Sequence, residues 1–258
     1  MCLRFRDEAR YLSEWLDYHL AAGVDHFFLY NNFSEDGFLE ALQPYLAQGL
    51  VTLIDWPRAP ASPAAENDCL TRTAGRFGWV GFLDVDEFLV VADGRSIGSF
   101  LKEFSQAPAV ALHWYMFGSN GHRTRPATGV IAAYTRRAPA PNHHVKVFVR
   151  PDQAVRNRNS HSFYYRRARC AVRENGSPVY GSMADPPTAE RAWINHYHYK
   201  SLEDYLEKAS RSSTLDASGT REPSRSVSGA RRSHAEANDV VDERALQYLK
   251  YRQAVSQT

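Results

Sequence analysis

The sequence predicts an α/β fold, a mixed sheet flanked by helices, on three observations. Short apolar runs at 2–5, 26–30, 51–55 and 79–83 alternate with stretches whose large apolar residues recur at helical spacing. Such alternation is the pattern of βαβ units, in which consecutive strands lie parallel and helices cover both sheet faces. Beyond these, 109–115, 130–136 and 145–149 read as strands with no helical stretch between them, which adds a mixed extension to the sheet.

Residues 2–5 form the first strand. A helix over 8–22 follows, because Leu12, Trp15, Leu16 and Leu20 fall at i, i+3, i+4 and i+8 and share one face. Gly23 stops it. Residues 26–30 are a compact aromatic strand, and 31–37 (NNFSEDG) are dense in turn formers. A second helix over 38–46 and a strand over 51–55 come next. The Pro/Ala-rich stretch 58–65 reads as a loop, 67–76 as a helix, and 79–83 as a buried strand running into Asp84-Val85-Asp86-Glu87. A main domain over 1–209 is then followed by an extension over 210–258. Its first part, 210–233, is rich in Ser, Arg, Gly and Ala and reads as a mobile arm or an ordered acceptor-side loop, composition favouring the arm, and 242–251 reads as a closing helix.

With 31 basic and 29 acidic residues, the net charge of +2 gives no bulk reason for a polyanionic partner, so no nucleic acid is expected. Cys2, Cys69 and Cys170 are odd in number, far apart and without a CxxC pair, which fits reduced thiols and a cytoplasmic protein. Charges interrupt the first residues where a signal peptide needs an apolar stretch. No run approaches the roughly 18 apolar residues of a membrane span. Both point to a soluble chain, compatible with peripheral membrane association.

The strongest chemical signal is Phe82-Leu83-Asp84-Val85-Asp86-Glu87-Phe88-Leu89. In extended backbone, carboxylates at i and i+2 point to the same side. Two like charges at a strand end repel unless a cation neutralises them. Hard oxygen ligands with open positions suit Mg²⁺ or Mn²⁺, which also takes phosphate oxygens. The bland alternative is a solvated acidic turn. The NNFSEDG turn falls at the same sheet edge if the strands are parallel, where Asn32, Ser34 and Asp36 could bond a base or ribose; simple turn chemistry explains those residues equally well.

The segments RDEARYLSEWLDYHLAAGVDHFFLYNNFSEDG, WVGFLDVDEFL, WYMFGSNGH, HHVKVFVRP and INHYHYKSLEDYLEK, in this order from about Leu3 to about Lys208, resemble glycosyltransferase family 92 and its relatives near family 2. The resemblance implies a GT-A, Rossmann-like fold, a nucleotide diphosphate sugar donor, a carbohydrate acceptor, a divalent metal (Mn²⁺ or Mg²⁺) and inversion at the anomeric carbon, a hexosyltransferase activity. It also implies that Asp84 and Asp86 bind metal and diphosphate, that Asp36 lies near the nucleoside, and that His196 completes the metal shell. By residue chemistry alone, His196 and His198 share a strand face and could chelate, or serve as structural histidines beside aromatics.

Gly118 begins the GSNGH loop, whose two glycines allow close backbone approach to a ligand. Trp114 and Tyr115 before it could stack on a sugar ring or sit in the core. Lys146, Arg150 and Lys200 are candidates to hold the diphosphate. The arginine-rich stretch 156–173 is denser than that role needs and reads as a solvated face. An inverting transfer needs a carboxylate base, for which Glu87, Asp185, Glu190 and Asp204 all qualify and none stands out. Two rivals are weaker. A haloacid-dehalogenase-type phosphatase also carries DxD after a strand, but near the chain start and with different following residues. A nucleic-acid-binding module could use the 156–173 arginines with Phe163, Tyr164 and Tyr165.

Overall fold

The structure, a computed structural model, describes residues 1–59, 62–210 and 236–256. Three βα steps open the chain: β1 (Cys2–Phe5), α1 (Ala9–Ala21), β2 (Phe27–Asn31), α2 (Phe38–Ala47), β3 (Val51–Asp55) and α3 (Ala64–Thr73). β1, β2 and β3 pair in parallel, with Leu3 beside Leu29 and Leu29 beside Leu53. Next come β4 (Val80–Gly81), β5 (Glu87–Val91), α4 (Ile97–Leu101), β6 (Ala109–Met116), α5 (Val130–Ala133), β7 (Arg136–Arg137) and β8 (Asn142–Val149). The chain continues through β9 (Ala154–Asn159), β10 (Ser162–Tyr165), β11 (Ala171–Arg173), β12 (Pro178–Val179), β13 (Ala192–His196), α6 (Leu202–Ser210), β14 (Val240–Val241) and α7 (Arg244–Ser256).

A seven-stranded mixed sheet is centred on β6, which pairs antiparallel with β8 and parallel with both β11 and β13. β4 flanks β8, and β5 lies antiparallel to β13. A parallel bridge from Cys2 to Phe82 joins the β1–β3 sheet to this one. The ends of β2 and β4 therefore emerge at one edge, as the parallel reading requires. The mixed α/β architecture expected from the pattern is the one observed.

The α1 face behaves as its spacing predicts: Leu12, Trp15 and Leu16 are fully buried. Trp15 Nε1 donates to Glu87 O (3.0 Å) and Tyr18 Oη to Leu89 O (2.7 Å), tying the helix to β5. Gly23 ends α1 at φ +92°, and a Cβ there would lie 2.7 Å from Ser96 Cβ. The 130–136 strand is not observed. The Glu14 carboxylate of α1 accepts the backbone N–H groups of Val130 (2.6 Å) and Ile131 (3.1 Å), and an anion on adjacent free N–H groups starts the short helix α5 in preference to a strand.

The helix expected over 242–251 is α7, and it is not a separate appendage. Ala245 and Tyr248 join the same core as α1 and β5, Tyr248 Oη donates to Arg95 O (3.0 Å), and Arg252 Nε donates to Ala21 O (2.9 Å). The stretch expected as an arm lies, past Ser210, outside the described residues. No helix among the described residues is long and apolar enough to cross a membrane.

Candidate active site

The DxD segment differs from the extended backbone expected of it. After Leu83 the chain turns through Asp84-Val85-Asp86, and the Glu87 N–H donates back to Asp84 O (3.1 Å). The carboxylates are brought together by this turn rather than by the pleat of a strand. The turn is held from three sides. Glu87 Oε2 accepts the Asp84 N–H (2.8 Å), Asp86 O accepts the Tyr197 N–H (2.8 Å), and Val85 is buried in the core.

Each aspartate has its own ammonium. Lys146 of β8, itself only 2% exposed, places Nζ 2.7 Å from Asp84 Oδ2 and 3.3 Å from Glu87 Oε2. Lys208 of α6 donates to Asp86 Oδ2 at 2.6 Å. Desolvation opposes charge on both aspartates, but Lys146 outweighs it at Asp84, and Lys208 with His196 outweighs it at Asp86, so both carboxyls are held below their usual range. Glu87 goes the other way. Burial, reinforced by Asp84 and Asp86, pushes its carboxyl well up, with Lys146 only partly opposing. Lys200 is also buried, at φ +46°, with Nζ 4.2 Å from the centre of the Tyr11 ring; burial lowers its ammonium, while Asp86 pulls it back up.

His196 ends β13 with Nε2 3.6 Å from Asp86 Oδ1. Asp86, His196 and His198 each offer a ligand atom within 4.8 Å of the others. Nδ1 of His196 is buried with no hydrogen-bond partner among the described residues. Trp114 of β6 packs its ring 4.3 Å from His196, stacks on His144 at 5.3 Å and meets His161 edge-on at 5.2 Å, so it is a wall of the site as well as part of the core. Burial keeps His161 at about 4 and lowers His144, leaving both neutral near pH 7.

Other residues singled out by sequence lie elsewhere or serve the scaffold. Asn32 Nδ2 donates to Trp56 O and Arg58 O, Ser34 Oγ accepts the Asp7 N–H, and Asp36 Oδ2 accepts the Ala9 N–H (2.7 Å) at the start of α1. These bonds lace the loop after β2 to its neighbours at the site edge. A Cβ on Gly118 would lie 2.4 Å from both Ala237 O and Asn238 Oδ1, so the close approach there is by the Ala237 carbonyl and the Asn238 side chain. Arg150 bonds Ser105 O and Asp152, beyond the other end of β8.

The four carboxylate candidates also separate. Glu87 is sealed beneath the turn. Asp204 is saturated: it accepts from Tyr11 Oη (2.5 Å), Arg125 Nε (2.5 Å) and Ser201 Oγ (2.7 Å), and Ser201 Oγ accepts its N–H in a cap of α6. Glu190 precedes β13, at the edge opposite His196. Asp185 is exposed, paired with His143 at the site end of β8.

Lys208 was not anticipated. Its signal was its place one helical turn after Asp204, which puts both on the inner face of α6. Tyr11 and Glu8, which border the small cleft beside Lys200 and Lys208, were also missed, because only folding brings α1 to α6.

The sequence profile of glycosyltransferase family 92 matches residues 1–226. Relatives include a glycosyltransferase family 92 protein of Ricinus communis, 30% identical over 81% of this chain and 36% of the relative. Another, from Oryza sativa subsp. japonica, is 35% identical over 59% of this chain and 26% of the relative. The chain thus spans about a quarter to a third of the length of these curated relatives. Among solved structures, that of S. aureus TarS residues 1–349 is similar at a TM-score of 0.38 and 14% identity, over 58% of this chain and 46% of that one. The protein belongs to glycosyltransferase family 92.

Proposed function

We propose that the chain transfers a sugar from a nucleotide diphosphate donor to a carbohydrate acceptor, with inversion and with a divalent metal, at the Asp84–Asp86 edge. The observation carrying this is the convergence of two aspartates, two histidines and three lysines on one sheet edge. Membership of the family supports the transferase reading.

The donor set fits a metal. Asp86, His196 and His198 are close enough to share one ion, and the unpartnered Nδ1 of His196 is consistent with a ligand or substrate contact. Imidazole is a poor ligand for Mg²⁺, so of the two expected ions the set favours Mn²⁺. A bound ion would neutralise the departing diphosphate. The protein's own contribution is cationic: Lys146, Lys200 and Lys208 flank the carboxylates, and an ammonium released from Asp86 can bond a phosphate oxygen. Trp114 and the neutral histidines offer a flat wall for a sugar ring. Asp185 is the base candidate that is both exposed and at this edge, where it can take a proton from an acceptor hydroxyl.

The test is release of nucleoside diphosphate from a panel of nucleotide sugars with Mn²⁺. Asp84→Asn and Asp86→Asn should each abolish metal-dependent release while staying folded. Asp185→Asn should lower transfer to acceptor by at least tenfold while nucleotide binding persists. Full activity in chelator, or wild-type rates in both aspartate variants, would remove the metal reading.

A further inference from the structure

One side of the sheet carries a second concavity that the donor site does not use. It is a cleft of about 220 Å³ between β10 and the β11–β12 hairpin, floored by Val147 and Phe163. Two tyrosines line it while remaining open to solvent, Tyr164 at 42% and Tyr180 at 78% exposure. Large aromatics left this exposed in a concave wall are unusual unless something packs on them.

The charge around it is one-sided. Residues 153–173 contain six arginines and no acidic residue. Arg156 and Arg158 lie over the Tyr164 ring at 4.4 and 5.7 Å, and Arg158 also bonds Tyr180 O at 3.4 Å. Arg169 in the cleft wall donates to the Gln106 carbonyl. Among the described residues no carboxylate forms an ion pair with Arg156, Arg158, Arg166, Arg167 or Arg169. Guanidinium groups placed on aromatic faces keep free N–H edges for a carboxylate, sulfate or phosphate.

Both walls of the cleft continue along the chain to the transfer site. Ser162, in its wall, follows His161, which packs on Trp114. Gly181, on the opposite wall, begins the stretch that runs beside the start of β8 to the exposed Asp185. We infer that this cleft binds the acceptor, and that the acceptor is an anionic glycan: sugar rings lie on Tyr164 and Tyr180 while acidic substituents pair with Arg156, Arg158 and Arg169. A bilayer is flat and cannot follow the concave wall, and the link to the donor edge favours a carbohydrate over a nucleic acid. This assignment rests on the transferase reading above.

The experiment is direct binding of three six-sugar probes: oligogalacturonate, a phosphorylated oligosaccharide, and neutral cellohexaose. At least one anionic probe should bind at least tenfold more tightly than the neutral one, with affinity falling as salt rises. Arg158→Glu with Arg169→Glu should remove that preference, and Tyr180→Ala should weaken binding about fivefold; these positions are surface ones, and thermal melting checks the fold. Nucleoside diphosphate binding with Mn²⁺, measured in parallel, should be unchanged in the variants. Equal or absent binding of all three probes beside intact nucleotide binding overturns the cleft assignment alone. Loss of nucleotide binding in the wild type overturns the transferase reading instead. Tighter retention of a single-stranded oligonucleotide or of phosphatidylserine vesicles, displaced by neither anionic probe, would also overturn the glycan assignment.

Discussion

Lys208→Met removes the ammonium that donates to Asp86 Oδ2 at 2.6 Å, one of the two oxygens Asp86 could offer a metal. A hydrogen bond between charged groups contributes roughly 1.5–3 kcal/mol. Lys208 is 42% exposed, so solvent screening places this pair at the lower end, about 1.5 kcal/mol. If the lysine and the ion compete for Asp86, deleting the lysine should tighten Mn²⁺ binding by about tenfold, since 1.36 kcal/mol is a factor of ten. Two effects should oppose that gain. Without metal the variant should melt at a lower temperature, because the nearly buried Asp86 loses a counter-charge. With saturating Mn²⁺ it should bind nucleoside diphosphate more weakly, because an ammonium freed for phosphate is gone. Calorimetric titration of Mn²⁺ into the wild type, Lys208→Met and Lys208→Arg measures the first effect without any turnover. Unchanged or weaker Mn²⁺ binding in Lys208→Met would refute the competition and leave Lys208 as a structural partner of Asp86.

Asp86, Asp204 and Asp242 are all held below their ordinary range against the opposing pull of burial, Asp242 by Arg244 and Arg137. The unfolded chain therefore takes up protons first on acidification, so their stabilisation is present above about pH 4 and is lost as pH falls through the folded values. Denaturant midpoints from pH 7 to pH 3 should fall accordingly, and Asp242→Asn should flatten that fall. Gly118→Ala should destabilise by more than about 1 kcal/mol, because its Cβ meets backbone at 2.4 Å; hydrogen exchange should show 236–241 losing protection first. Glu14→Ala removes the acceptor of two backbone N–H groups at Val130 and Ile131 and should cost about 2 kcal/mol, with Glu14→Gln recovering part of it.

The first half of the fold was legible because its signals are local. Leu12, Trp15 and Leu16 share a face in any helix, and the apolar runs of β1–β3 are bounded by their own turn formers. The 130–136 stretch was misread because Glu14, more than a hundred residues away, decides its backbone. The DxD turn shows the same limit. Asp84 and Asp86 were identifiable as a pair, but the bend between them depends on Glu87, Tyr197 and Trp15, none of which spacing could place beneath it.

Their counter-charges also come from distant chain, Lys146 from β8 and Lys208 from α6, and this bears on how the site would work. α6 is held at its start by Tyr11 and Arg125 through Asp204, one turn before Lys208 reaches Asp86. An ion taking Asp86 Oδ2 would release Lys208 while those bonds hold the beginning of the helix. The movement expected on loading is therefore a local one at the end of α6, with the DxD turn fixed by its three clamps. Carboxylates already charged and held in place need no proton released from them to accept a metal.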